Sequence, residues 1–148
     1  MKMMDQTDEK ILKNLMVDAR LSARQLALKL GMSTVTVLSR IKKLEKEKII
    51  HGYTAIIDHE KLGYGLTAII EIIAKNDKIE DIENEISQFE NVCAVYDITG
   101  STDTVIIAKF KERSELSKFV KGLAAIPNVK NTITHVVLNT AKEDFRLA

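Results

Sequence analysis

The residues best suited to chemistry fall in one run, residues 33–46 (STVTVLSRIKKLEK). Val37, Ile41 and Leu44 recur at helical spacing, so they must face a core. The opposite side then presents Thr34, Val35, Thr36, Ser39, Arg40, Lys42 and Lys43, with no acid before Glu45. Such a surface can read DNA. Short polar side chains let a helix sit deep in a major groove, Arg40 can grip guanine through two hydrogen bonds, and Thr or Val can meet a thymine methyl. Lys42, Lys43 and Lys46 suit phosphates. Ser33 is the expected N-cap. With Arg24 on the preceding segment, Ser33 completes the predicted DNA-contacting set. A solvated helix in an ordinary bundle would show the same pattern, so the neighbouring elements must decide.

Other chemistries find little support. His51, His59 and His135 lie far apart, without paired cysteines or a zinc-protease spacing, so no metal site is expected. There is no glycine-rich phosphate loop, no Ser/His/Asp arrangement, and no cofactor is predicted. Cys93 sits in an apolar stretch and is expected to be a small buried residue. As the single cysteine it forms no internal disulfide, which predicts a reducing, cytoplasmic location. The opening MKMMDQTDEK lacks the apolar centre of a signal peptide. No apolar run approaches the ~20 residues that span a bilayer, so no membrane partner is expected.

Two further helices are predicted ahead of residues 33–46. The first spans about 6–17, with Asp5 or Thr7 as cap and Asp8 and Glu9 placed to suit the positive helix end. Its stripe is Ile11, Leu12, Leu15 and Met16. The second opens on Ser22, where Ser22-Ala23-Arg24-Gln25 reads as a capping box. Leu26, Ala27 and Leu30 face inward, and Gly31 ends the helix in the left-handed region. Helix, glycine turn and helix together favour DNA binding over the ordinary bundle. Charge agrees. Residues 20–48 hold eight Lys/Arg against two Glu, a net +6. Residues 1–52 hold 11 Lys/Arg and 6 Asp/Glu, a net +5, whereas 53–148 hold 11 and 15, a net −4. A basic head on an acidic body is the footprint of a polyanion partner, here double-stranded DNA.

Residues 48–57 (KIIHGYTAII) are rich in β-branched side chains and are predicted as a strand. A lone strand must pair with the following domain or with its copy in another subunit. Asp58 to Gly65 make a loop. Beyond it come a strand (66–75), a helix marked by Ile79, Ile82, Ile86 and Phe89, and a strand (92–99). A turn at Gly100-Ser101-Thr102-Asp103 precedes a strand (104–111), a helix that must stop before Pro127, and a strand (129–138). The fold class is therefore α+β. A winged-type helix-turn-helix domain (1–49) is joined by a β-strand linker (50–65) to a ferredoxin-like βαββαβ domain (66–148). Its helices cover one sheet face, yet strands 66–75 and 104–111 are apolar on both. A second subunit is the simplest cover, which predicts a homodimer.

Several segments carry a resemblance to a known family. Asp8 with Ile11-Leu12, and Asp18-Ala19-Arg20, look like its opening helix and exit. Ser33, Val37, Arg40-Ile41, Leu44-Glu45, Ile49-Ile50 and Gly52-Tyr53 resemble its recognition helix and the strand beyond. Leu62-Gly63, Thr99 to Asp103, Val136-Val137-Leu138 and Lys142-Glu143 match in order and spacing. In these the chain is similar to the leucine-responsive regulatory protein/AsnC, or feast/famine, transcription regulators. The resemblance implies dimers that pair through the linker strand and the sheet and assemble further, often to an octamer. It also implies a free amino acid held between dimers. By position, Gly100, Ser101, Asp103, Thr132 and Thr134 would bind it. Backbone N–H groups and Ser101 would hold a carboxylate and Asp103 an ammonium, although those turn residues also suit a plain hairpin. Thr102 departs from the family, which often carries an aromatic residue there. Some relatives decarboxylate a tetrapyrrole, which makes a sirohaem enzyme one competing reading. A metabolite-binding module whose head has lost DNA contact is another. The scarcity of histidines ranks the first lower, and the positive surface from Arg24 to Lys46 argues against the second.

Overall fold

The computed structural model describes residues 4–75 and 79–147, so the first three residues of the opening segment lie outside it. Three helices form the first unit: α1 (Gln6–Val17), α2 (Ala23–Leu30) and α3 (Thr34–Lys46). Each starts where a side chain can satisfy the free N–H groups of a helix end. Asp5 accepts from the Thr7 and Asp8 amides, Ser22 from Gln25, and Ser33 from Thr36. Asp5 with Asp8, and Ser22 with Gln25, close reciprocal capping boxes. Gly31 stops α2 at φ 65°, a backbone that a β-carbon disfavours, and so turns the chain sharply into α3. Ile11, Leu15, Leu26, Ala27, Val37 and Leu44 are buried together as the core of this unit.

The second unit is built from β1 (Leu66–Ala74), α4 (Ile79–Ile86), β2 (Val92–Asp97), β3 (Thr104–Phe110), α5 (Arg113–Ala125) and β4 (Val129–Val136). The sheet order is β2-β3-β1-β4 with every pair antiparallel, the ferredoxin-like arrangement. Ala68, Ile70 and Ile72 from β1 and Ile106, Ala108 and Phe110 from β3 point to one face. There they are buried with Ile82 and Ile86 of α4 and Leu123 of α5. The alternate residues form the other face. Ile69, Glu71 and Ile73 lie beside Val105 and Ile107, Tyr96, and Ile133 and His135. No element of this unit covers them, and Ile69, Tyr96 and Ile133 are exposed.

Two expectations are corrected. Residues 48–57 form no strand and no wing: beyond the turn that ends α3, the segment joins no ladder within the described residues. β-branched side chains favour an extended backbone, but the hydrogen bonds of a ladder need a second segment, and the described residues of this chain supply none. The chain divides into two compact units. The first unit runs through Ile56 and regains the segment from Glu143 on, leaving Ile57–Lys142 as the second. Within the first unit Arg146 donates to the Met16 carbonyl in the last turn of α1 at 3.2 Å. Finally, Cys93 is exposed rather than buried, because the β2–β3 register slips between Val92 and Ala94 and takes it out of the alternation.

Candidate nucleic-acid interface and effector turn

The outer surface of α3 follows from its core. With Val37 and Leu44 buried, residues half a turn away face solvent. Thr34, Val35, Thr36, Ser39 and Lys42 are all exposed, as are Lys46 and, on α2, Arg24. Ser33 caps the helix through its hydroxyl oxygen, 3.1 Å from the Thr36 amide and 2.8 Å from the Thr36 hydroxyl. Among the described residues, Arg24, Lys42 and Lys46 have no carboxylate partner. A face of hydroxyls and free cations at one helix end can bind phosphates and base edges.

Arg40 does not belong to that face. Its guanidinium turns toward α1, with Nη1 2.7 and 2.6 Å from the two Asp5 carboxylate oxygens and 2.8 Å from Asp8 Oδ1. Lys43 adds a contact of 3.3 Å from Nζ to Asp8 Oδ2. Asp8 is fully buried, so the guanine-gripping role expected of Arg40 gives way to clamping α3 onto the start of α1. A lone buried carboxylate is costly, and the neighbouring cations make it tolerable. In sequence Asp5 and Asp8 read only as helix-start residues, because their cationic partners lie more than 30 positions away.

The clamp sets acid sensitivity. The hydrogen bond from Arg40 holds the Asp5 carboxyl down at about 2. Burial pushes Asp8 up, but hydrogen bonds from Arg40, the Asp5 amide and Lys43 outweigh it, and the net shift is downward. A depressed carboxyl adds stability that is present above its unfolded pKa, near 4, and lost as pH falls through the folded value. Asp5→Asn should therefore be less stable than the parent by a constant margin from pH 7 to 5. That margin should close between pH 4 and 2, as read from urea unfolding followed by circular dichroism. A margin that did not change with pH would remove the ion pair as its cause.

At the far end of α3, Tyr53 donates to Glu45 at 2.9 Å, tying the linker to the helix. Burial, and then this bond to a carboxylate, raises the Tyr53 hydroxyl above its ordinary pKa.

The predicted effector residues are only partly brought together within one chain. Gly100 (φ 129°) and Ser101 are exposed at the turn between β2 and β3. Asp103 is turned inward, accepting from the Ala74 amide at 2.7 Å, while its own amide donates to the Ile72 carbonyl. It therefore closes the end of β1, and its carboxylate is already engaged. Thr132 lies opposite the same Ile72, and Thr134 lies opposite Ile70, two residues farther from the turn. Thr102, which departs from the family in not being aromatic, is buried and donates to Glu71 at 2.9 Å. His135 meets the other Glu71 oxygen at 2.9 Å. The Thr102 bond first, and His135 second, hold the Glu71 carboxyl below its usual range. This trio was not legible in the sequence. Its members are 31 and 64 positions apart and are joined only by strand register. Among the described residues no group of three His, Cys, Asp or Glu side chains could hold a metal ion, and no helix is long and apolar enough to cross a membrane.

With this geometry in place, the chain can be set beside known proteins. Residues 4–45 match the AsnC-type helix-turn-helix domain, and residues 67–147 match the Lrp/AsnC ligand binding domain. An HTH-type transcriptional regulator of Pyrococcus abyssi is 47% identical over 145 residues, covering 98% of this chain and 99% of the relative. The HTH-type transcriptional regulator Ptr1 of Methanocaldococcus jannaschii is 34% identical over 146 residues, covering 98% and 99%. Among solved structures, a Neisseria meningitidis transcriptional regulator in complex with L-Met superposes with a TM-score of 0.90 at 29% identity, covering 99% of this chain and 97% of that one. AsnC of E. coli gives 0.89 at 25% identity, covering 96% and 97%.

Proposed function

This chain belongs to the Lrp/AsnC family of helix-turn-helix transcription regulators, and on that premise we propose that it acts in the cytoplasm as a homodimer or larger homo-oligomer that holds one operator with paired heads. It is a DNA-binding regulator, and no catalytic step is assigned to it. The observation that carries this reading is the outer face of α3. Thr34, Val35, Thr36, Ser39 and Lys42 stand exposed behind the Gly31 turn, with no acid in the first two helical turns. Thr34, Thr36 and Ser39 would approach base edges, with Ser33, Arg24 and Lys42 directed to the backbone, while Lys43 stays on Asp8 beside Arg40.

The uncovered sheet face supports pairing, since it is apolar where a monomer would gain nothing from being so. The unpaired linker supports it as well. It lines an open apolar groove of about 570 Å³ together with Leu12, Leu15 and Met16, a surface that a second copy could cover. Two heads related by a two-fold axis would reach successive major grooves about 34 Å apart. Further assembly to an octamer would bring the turns near Gly100 and Ser101 against neighbouring strands, where a free amino acid would sit close to Thr132. The engaged Asp103 would contribute by shaping that turn. Because the Neisseria relative was crystallised with L-Met, methionine is the first compound to try.

A gel-shift titration against the protein's own upstream DNA tests the regulator reading. Binding should weaken steeply with salt, and Lys42→Ala should flatten the salt slope by about 1. If no shift occurs at low salt, the DNA reading falls. A thermal-shift panel of the twenty amino acids tests the effector separately, and a flat panel would remove sensing while leaving DNA binding intact.

A further inference from the structure

The geometry points to thymine methyl groups, rather than guanine edges, as what α3 reads, through an apolar pair formed by Val35 and Leu38. The inference rests on the DNA-binding reading above and deepens it by naming the chemistry of the operator. Val35 is 77% exposed and Leu38 44% exposed, on the solvent side of a helix whose own core is already filled by Val37 and Leu44. Three residues apart on one helix, they are neighbours on its surface. Neither belongs to the core of this unit, which Ile11, Leu15, Leu26, Ala27, Val37 and Leu44 form without them.

The alternative reader has been withdrawn. Arg40 is the only arginine in α3, and its guanidinium is bound to Asp5 and Asp8. The planar fork that suits guanine O6 and N7 is therefore missing from the exposed side of α3, and the free Arg24 lies on α2, assigned above to the phosphates. Thr34, Ser39 and Lys42 surround the pair, all exposed and none acidic. Lys42 and Lys46 have no carboxylate partner among the described residues. An apolar pair inside a rim of hydroxyls and free cations fits the floor of a polyanion's groove better than a protein partner. In the major groove the only apolar group on a base edge is the thymine C5-methyl. Two side chains in adjacent positions would take two neighbouring thymines of each half-site.

Replacing single thymines by 2′-deoxyuridine removes that methyl and leaves every hydrogen-bonding group in place. In a selected operator, two adjacent positions per half-site should each lose about fourfold in affinity, the effect of exposing one methyl-sized group. Leu38→Ala and Val35→Ala should lose a similar factor on thymine DNA and become indifferent to the uridine change at one of those positions. Melting should be unaltered, since alanine suits an exposed helix position. Uridine tolerated within twofold at every position would overturn the proposal. So would losses from variant and base change that simply multiply. So would a Leu38→Ala variant whose altered oligomeric state accounts for its weaker binding. Protein that shifts no DNA at all would overturn the regulator reading together with this one.

Discussion

Arg40→Met is expected to lower the stability of the helical unit by about 2–3 kcal/mol, because it strands a buried carboxylate. For a unit of this size that corresponds to a fall of roughly 10–20 °C in its melting temperature. Asp8 is fully buried and is held by Arg40 at 2.8 Å and by Lys43 at 3.3 Å. With Arg40 gone, Lys43 alone would face a charge whose desolvation two cations had offset. The partner variant sharpens the prediction. Asp8→Leu together with Arg40→Met replaces the pair by apolar groups and should recover most of the loss. A double-mutant cycle followed by differential scanning calorimetry measures that recovery. If Arg40 read bases instead, Arg40→Met would weaken specific DNA binding and leave melting unchanged, and the clamp would have to be abandoned.

Ile69→Lys is expected to split the proposed dimer and with it most of the DNA affinity. Ile69 lies in the middle of β1, paired with Ile107 on one side and His135 on the other, on the sheet face that no helix covers. In a single chain its side chain is already 36% exposed, so lysine can reach water and the fold should survive. Across a two-fold interface the same lysine would be buried close to its own copy, with Glu71 already committed to Thr102 and His135. Light scattering should report one 16.6 kDa chain. Losing the second head should weaken operator binding by at least about a hundredfold, since two linked sites gain 10²–10⁴ over one. A variant that stays dimeric, or a monomer that binds as tightly as the parent, would sink the proposed role of this face.

Much of the scaffold was legible from local signals. Asp5, Ser22 and Ser33 mark the three helix starts, and Gly31 marks the tight turn, because capping and left-handed backbone act over only a few residues. The alternation that distinguishes the two faces of β1 and β3, and the stop before Pro127, are equally local. Helix spacing placed Val37 and Leu44 in a core, and so placed Val35, Ser39 and Lys42 outside it. The linker is a different case. Its β-branched residues announce a strand, but a strand is a relation between two segments, and among the described residues of this chain no second segment pairs with it.

What the sequence by itself determined was therefore periodicity: which residues face a core, where elements start and stop, and where positive charge concentrates. The tertiary structure alone decided which charges meet. Arg40 sits on a basic helix and looks free until Asp5 and Asp8, 35 and 32 positions earlier, are seen to close on it. Thr102, Glu71 and His135 become one hydrogen-bonded group only through the register of β1 with β3 and β4. Asp103 becomes a strand-end acceptor rather than a free carboxylate for the same reason. The physical cause is common to all three. Caps and helical faces depend on neighbours within about four positions, whereas ion pairs depend on distance in space, which only packing sets.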